Sequence, residues 1–389
     1  MVGAGQLARM TSQAAVALGV GFRVLAAAAD ESAAQVCAGT WIGDYRSAGD
    51  LLAFASDCTV VTFDHEHVPG AHLQALEQAG TVLRPGSGAL RFAQDKRAMR
   101  QRLTALGVPC PASAVVSDAG VLPDLSGVPD LSAVPGLSAV TRFADRHGWP
   151  VVLKAVTGGY DGKGVWICGT PAAAADVLSH GLELIVEEHV AFERELAILV
   201  ARSPSGQGAA YPVVQTVQRD GVCREVLAPA PGLPPGLTAQ AQRLGLSIAA
   251  ELGVTGLLAV ELFQTADGLL VNELAMRPHN SGHWTIEGAR TSQFEQHVRA
   301  VLNLPLGAPS LAARQAVMVN VLGGDDPDIY SRLVHVMAAD PGVKVHLYGK
   351  PVRPGRKVGH VTVLGDDAEA LRGRARRAAS YLSSGVEQS

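Results

Sequence analysis

The chain has little of what would tie it to a membrane, a polyanion or a disulfide scaffold. Its 389 residues hold 32 Lys plus Arg against 36 Asp plus Glu, a net charge of −4. There is thus no basic footprint for nucleic acid, and any anionic ligand must be met by local clusters. Charged residues make up only 17% and hydrophobic residues 48%, while the 43 Gly and 22 Pro stay below the level of a disordered chain. No apolar run approaches the roughly 18 residues that span a bilayer. Residues 1–10 carry one Arg, the apolar residues 14–22 follow a helical period, and no cleavage-type site precedes Asp30, so no signal peptide is read. The five cysteines (Cys37, Cys58, Cys110, Cys168, Cys223) are odd in number and lack CxxC spacing. That argues against a disulfide framework or a Cys zinc site and fits a reducing, cytoplasmic setting.

What is present is a globular chain long enough, at roughly 150 residues per domain, for two or three domains. Gly3-Ala-Gly-Gln-Leu-Ala8, an Ala-rich helix to Gly19 and an apolar strand over 22–27 ending near Asp30 form a glycine-loop, helix, strand unit of a doubly wound sheet. As a dinucleotide signature it needs a strand before it, and only Met1 and Val2 precede the loop; tight helix-to-strand packing is the other reading. A central strand so short predicts either a start further upstream or a weakened domain. A second strand over 58–63 runs into Asp64-His-Glu-His-Val68, where extended alternation sets His65 and His67 on one face, either for a metal or as a polar strand-end loop. Residues 117–140 carry a six-residue proline repeat that excludes a helix through them and reads as a surface insertion. From 141 to 305 strands and helices alternate. A final section carries strands near 316–322, 344–348 and 359–364 and a helix whose Arg372, Arg374, Arg376 and Arg377 read as a solvated face.

Three stretches carry chemistry. Strand 151–154 ends in Lys154, followed by Gly158-Gly-Tyr-Asp-Gly-Lys-Gly164, whose free backbone N–H groups and flanking lysines suit a phosphate. The order is not that of a P-loop, so the nucleotide site would be of another type, and a plain glycine hairpin is the bland alternative. Residues 184–196, with Glu187-Glu188-His189-Val190 and Glu195, read as strand, acidic break and strand, a linker whose backbone could meet adenine while Glu195 takes ribose hydroxyls, or as an exposed acidic turn. Asp267-Gly268 between two apolar strands marks a hairpin, and a three-residue loop sets Glu261 opposite Glu273. Facing carboxylates repel unless a cation lies between them, and with Asn272 alongside hard oxygens imply Mg²⁺ or Mn²⁺. A two-residue loop would shift that register by one. Arg277-Pro-His279-Asn280-Ser-Gly-His-Trp-Thr285 is dense in donors for an anionic, hydroxyl-rich substrate. Lys350, Arg353, Arg356 and Lys357 concentrate cations near the C-terminus.

At these motifs the chain resembles the N5-carboxyaminoimidazole ribonucleotide synthase family of ATP-grasp ligases, from Gly3 to Met10, through Gly158 to Gly164 and Val271-Asn-Glu273, to 277–285 and Arg353-Pro-Gly-Arg-Lys-Val-Gly-His360. The resemblance implies an α/β ATP-grasp fold: a doubly wound pre-ATP-grasp domain over 1–94, an ATP-grasp domain over 95–310 and a small, mostly β domain over 311–389. It implies ATP contacts at Lys96, Lys154, Gly159, Tyr160, Asp161, Gly162, Lys163, Gly164, Val165, Glu187, Glu188, His189, Val190, Glu195, Gln218, Asn272 and Glu273. It puts magnesium on Glu261 and Glu273. Substrate contacts fall on Tyr160, Asp161, Arg277, His279, Asn280, Lys350 and Arg356, with Lys154, Tyr160, Asp161, Arg277 and His279 as the reacting set, and a homodimer is the family expectation. The implied reaction joins bicarbonate to the amine of aminoimidazole ribonucleotide at the expense of ATP.

The sequence departs from the family in Lys96, where Arg is usual after Gln-Asp, in Gln218, where His is usual, and in the short first strand. Other readings are a formate-using ribonucleotide transformylase of the same fold, an NAD-dependent oxidoreductase built on the opening glycine loop, and a non-catalytic nucleotide-binding regulator.

Overall fold

The computed structural model describes residues 1–117, 134–159 and 162–386. The first section alternates helix and extended chain: α1 (Gln6–Ala17), β1 (Arg23–Ala26), β2 (Gly39–Ile42), α2 (Ala48–Ala55), α3 (Gly70–Gln78) and α4 (Ser87–Gln94). β1 and β2 pair in parallel, Val2 bridges both Leu25 and Phe63, and Val61 bridges Leu83. Across the sheet the segments thus run third, second, first, fourth, fifth, the doubly wound order. The run expected to be a strand over 58–63 contributes only single bridges at Val61 and Phe63. Val2, Leu25 and Phe63 pack into one core with Phe54, Leu73 and Leu76.

Asp64 shows what the first glycine loop is for. Its carboxylate accepts from the Gly5 N–H at 2.5 Å and the Ala8 N–H at 3.1 Å, satisfying the first turn of α1. A Cβ at position 5 would stand 2.5 Å from Asp64 Oδ2, so the close approach requires glycine. A dinucleotide pyrophosphate would need the same N–H donors. The oxidoreductase reading of this loop fails on that contact.

The middle section begins with α5 (Lys96–Ala105), N-capped by Asp95, whose Oδ1 accepts from Ala98 N–H at 2.8 Å. Then come β3 (Ser113–Val115), α6 (Leu137–His147), β4 (Val151–Ala155), β5 (Val165–Cys168), α7 (Pro171–Leu178) and β6 (Leu184–Glu188). The strands form an antiparallel sheet in the order β3-β6-β4-β5. Leu137, Val140 and Phe143 of α6 and Ala174 of α7 pack against Leu153 and Val186 of that sheet. Most of the proline repeat lies outside the described residues, but its last unit is no surface insertion. Leu137 to Val140 is the first turn of α6, and both named residues are buried. No proline lies between Pro135 and Pro150, so nothing bars a helix beyond Gly136.

β7 (Arg194–Arg202), β8 (Gly208–Ala210), β9 (Val214–Arg219), β10 (Val222–Ala228), α8 (Pro235–Glu251), β11 (Gly256–Thr265), β12 (Gly268–Ala275), α9 (Thr285–Gly288) and α10 (Gln293–Val301) follow. The last section adds β13 (Gln315–Leu322), α11 (Leu333–Ala339), β14 (Lys344–Leu347), β15 (Lys357–Gly365) and α12 (Ala368–Ser384). Among the described residues these strands make one nine-stranded sheet in the order β12-β11-β7-β9-β10-β13-β15-β14, with β8 beside β7. The C-terminal strands therefore extend the central sheet through β10 and β13.

α12 covers β13 and β15 with Leu371, Ala375 and Leu382. Of the four arginines expected on a solvated face, Arg377 is exposed but the other three are paired. Arg372 and Arg376, one turn apart, reach the buried Glu225 of β10 at 2.5 and 2.8 Å, and Arg374 holds Asp340 through two bonds of 2.7 and 2.9 Å. Among the described residues no helix is long and apolar enough to cross a membrane.

Candidate active site

The β11–β12 hairpin does not turn as the sequence suggested. Its loop is the two residues Ala266-Asp267, and Thr265 pairs with Gly268. Carried straight on, that register would set Glu261 opposite Asn272. A bulge between Glu261 and Leu262 gives β12 one extra residue and brings Glu273 opposite Glu261. Burial, Glu273 and the neighbouring Glu195 raise the Glu261 pKa to about 7, and burial alone raises Glu195 to about 7. The three carboxylates together form a site short of positive charge.

Lysines reach this hairpin from two other elements. Lys96, at the start of α5, pairs with Glu273. Lys154 of β4 donates to Glu187 Oε2 at 2.7 Å and to Asn272 Oδ1 at 2.9 Å. Burial would raise the Glu187 pKa, but Lys154 and Arg100 outweigh it and hold it at about 2; burial pushes Lys154 down. Among the described residues no three His, Cys, Asp or Glu side chains converge into a self-sufficient metal cage. The donor set at Glu261 and Glu273 instead fits a hard divalent cation that completes its shell with ligand phosphates and water.

The opposite wall comes from the loop after β12. Arg277 Nε pairs with Glu66 Oε2 at 3.1 Å, and Glu66 Oε1 accepts from Met276 N–H at 2.9 Å. The Asp64-His-Glu-His run is thus a polar connecting loop: Asp64 caps α1, Glu66 anchors Arg277, and the rings of His65 and His67 stack 5.2 Å apart. His279 accepts the Ser281 N–H at Nδ1 (3.4 Å), and its Nε2 lies 3.5 Å from Glu261 Oε1. Burial lowers its pKa to about 3, so it meets Glu261 as a neutral ring. Asn280 and Asn320 exchange side-chain hydrogen bonds of 3.0 and 2.8 Å, tying this loop to β13.

These walls enclose a cavity of about 650 Å³. Lys96, Lys154, Gly159, Gly162, Val165, Glu187, Glu188, His189, Val190, Glu195, Gln218, Glu261, Asn272, Glu273, Arg277, His279 and Asn280 all line it. Residues 189–193 join β6 of the small sheet to β7 of the large one, so the acidic break is a linker between the two sheets. Gly162, at φ 75°, packs so closely on the β9–β10 turn that a Cβ there would stand 2.9 Å from Gly221 Cα.

Lys163 and Gly164 are not among the lining residues, and Tyr160 and Asp161 fall outside the described residues. Lys350 bonds Gln6, itself a wall residue, whereas Arg356 donates to the Pro351 carbonyl at 3.3 Å and it is Lys357 that reaches the wall. Sequence reasoning missed Gln6 and Leu7 and named Lys357 only within the C-terminal cation cluster; all three face the cavity because the N-terminal and C-terminal sections meet there.

Residues 1–94 match the ribonucleotide synthetase preATP-grasp domain, 126–294 the ATP-grasp domain and 316–374 the phosphoribosylaminoimidazole carboxylase C-terminal domain. The N5-carboxyaminoimidazole ribonucleotide synthase of Mycobacterium tuberculosis is 54% identical, over 99% of this chain and 87% of its own. The chain belongs to the N5-carboxyaminoimidazole ribonucleotide synthase family.

Among solved members of that synthase family, the one from Thermus thermophilus is 36% identical with a TM-score of 0.85, covering 100% of both chains. The Aspergillus clavatus synthase, in complex with ADP and 5-aminoimidazole ribonucleotide, is 28% identical with a TM-score of 0.86, covering 98% of each chain. The synthase fold is thus an ATP-grasp domain behind a pre-ATP-grasp domain, closed by a C-terminal section that shares its sheet.

Proposed function

We propose that the cavity carboxylates 5-aminoimidazole ribonucleotide with bicarbonate at the expense of ATP, giving N5-carboxyaminoimidazole ribonucleotide, ADP and phosphate. The observation that carries this reading is the layout of charge in one cavity of a chain of this family. Lys96, Lys154 and the Glu261–Glu273 pair form one wall and Arg277 with neutral His279 the other.

Bicarbonate is a poor electrophile, so the γ-phosphoryl group of ATP is transferred to one of its oxygens. The resulting carboxyphosphate collapses to phosphate and carbon dioxide beside the exocyclic amine, which attacks the carbon. Lys154, held between Glu187 and Asn272, offers its remaining N–H to the transferring phosphoryl group. Lys96 exchanges its contact with Glu273 for phosphate oxygen. Arg277, fixed by Glu66, and His279 orient the carboxyl oxygens, so the protein contributes positioning and charge neutralisation, with no covalent nucleophile. A divalent cation on Glu261 and Glu273, when bound, neutralises phosphate charge. The glycine loop, seated against the Gly221 turn, excludes water that would hydrolyse carboxyphosphate.

The test is release of ADP from MgATP with bicarbonate and aminoimidazole ribonucleotide added separately and together. Full turnover is expected only with both. Release that depends on formate instead would move the chain to the transformylase reading, and nucleotide binding without turnover would make it a regulator.

Lys350 is assigned to the 5′-phosphate of the ribonucleotide, because its ammonium reaches the wall at Gln6, away from the hairpin carboxylates, and Arg356 joins it only on leaving the Pro351 carbonyl. A charge-assisted phosphate contact is worth roughly 1.5 to 3 kcal/mol. Lys350→Ala and Arg356→Ala should therefore raise KM for the ribonucleotide about tenfold to a hundredfold with little change for ATP. A loss of ATP affinity instead would place the phosphate elsewhere. The family expectation of a homodimer is checked by light scattering on the purified protein.

A further inference from the structure

Arg100 does not line the cavity, yet it touches three of the parts that shape it. It lies one turn after Lys96 on α5, is 4% exposed, and uses its whole guanidinium. Nε donates to Glu187 Oε1 at 2.6 Å, Nη2 to Glu187 Oε2 at 3.2 Å, Nη1 to the Val271 carbonyl at 2.9 Å and Nη2 to the Asn272 carbonyl at 2.7 Å. Glu187 is also the carboxylate that holds Lys154 at 2.7 Å.

Within this buried group one negative charge faces two positive ones. A buried Arg–Glu pair is weak evidence for stability, since desolvation can cancel its attraction. The arrangement matters instead for the third member. With Arg100 present, the Glu187 carboxylate is already neutralised, and the Lys154 ammonium carries the net positive charge of the group into the cavity. Without Arg100, Glu187 and Lys154 would form a closed neutral pair.

We propose that Arg100 is a positioning residue for nucleotide binding: it takes up the charge of Glu187 so that Lys154 stays available to phosphate. This rests on the reading of the cavity as the ATP site. Arg100 touches no reacting atom and acts through Glu187 and Lys154. A lysine in its place keeps the charge on which this role depends.

A charge-balance role differs from a packing role in how two substitutions combine. MgADP binding to the full chain is measured by titration calorimetry for wild type, Arg100→Met, Arg100→Lys, Glu187→Gln and Arg100→Met with Glu187→Gln. Arg100→Met should weaken MgADP about tenfold to a hundredfold, the value of one charge-assisted phosphate contact. Arg100→Lys should stay within about threefold of wild type, whereas Glu187→Gln alone, which alters a wall residue and the anchor of Lys154, should weaken binding. The double variant, lacking both charges, should regain most of the loss.

A double variant as weak as Arg100→Met, or Arg100→Lys as weak as Arg100→Met, overturns the proposal. Should Arg100→Met fail to fold, Arg100→Lys decides it, and a tenfold or greater loss of MgADP binding there counts against it. A wild type that binds no MgADP defeats the ATP-site reading itself, whereas a wild type that binds with an additive cycle defeats only the role of Arg100.

Discussion

Replacing Glu273 by Gln is expected to cut Mg²⁺-dependent turnover about a thousandfold while leaving the metal-free fold intact. The substitution keeps the shape of the side chain and removes one of two carboxylates that face each other across the β11–β12 pairing. A cation bound by two carboxylates and ligand oxygens loses a charged ligand, and with it charge compensation in the phosphoryl transfer step. The metal-free protein should hold its thermal midpoint or gain slightly. Repulsion with Glu261 falls, and that relief is set against the weakened ion pair with the buried Lys96, to which the Gln side chain can still offer its carbonyl oxygen. Turnover against magnesium concentration, with thermal unfolding in chelator, reads both effects. Near-normal rates at ordinary magnesium would remove the metal assignment from this pair.

That pair was legible in the sequence for a reason that turned out to be incomplete. The Asp-Gly turn marks the hairpin, but its loop has two residues, and the facing of Glu261 and Glu273 depends on a bulge. The bulge is fixed by groups far away in sequence: Arg100 on the Val271 and Asn272 carbonyls, and Lys154 on the Asn272 side chain. No local pattern encodes it. Elements whose signals are local were readable, such as the helix after the first glycine loop and the acidic break between β6 and β7. Side chains whose partner lies on another element were not.

The run from Asp64 to His67 favoured a polar loop yet still admitted a metal, because what decides it is the N-terminus of α1 and the Arg277 guanidinium. Arg372 and Arg376 of α12 looked solvated because their carboxylate, Glu225, belongs to β10. In each case the charge was visible and its counter-charge was not.

Lowering the pH from 7.5 to 5.5 is expected to destabilise the unliganded protein steeply. Five histidines, His283, His297 and His360 fully buried and His65 and His279 partly so, are held neutral by desolvation: His65 at about 4, His279 and His297 at about 3, and His283 and His360 well below the ordinary value. Geometry agrees at His297, whose Nδ1 accepts the Leu257 N–H at 3.3 Å while Nε2 meets Thr62 Oγ1 at 2.8 Å. Each folded-state pKa lies below the unfolded value of about 6.5, so beneath that pH the unfolded chain binds more protons and stability is lost as the pH falls. Glu195 and Glu261, raised to about 7, act the other way, since the folded protein protonates them first. Five protons against two leave about three, or roughly 4 kcal/mol per pH unit once the histidines of the unfolded chain are fully charged, and about 3 kcal/mol between pH 6.5 and 5.5. Denaturant midpoints at pH 7.5, 6.5 and 5.5 should fall accordingly, with little change above pH 7. His297→Gln lowers the whole curve through lost packing, but it should also flatten the acid limb by about one proton, which packing alone cannot do. A midpoint that is constant or rises on acidification would mean that these histidines are not held neutral in the fold.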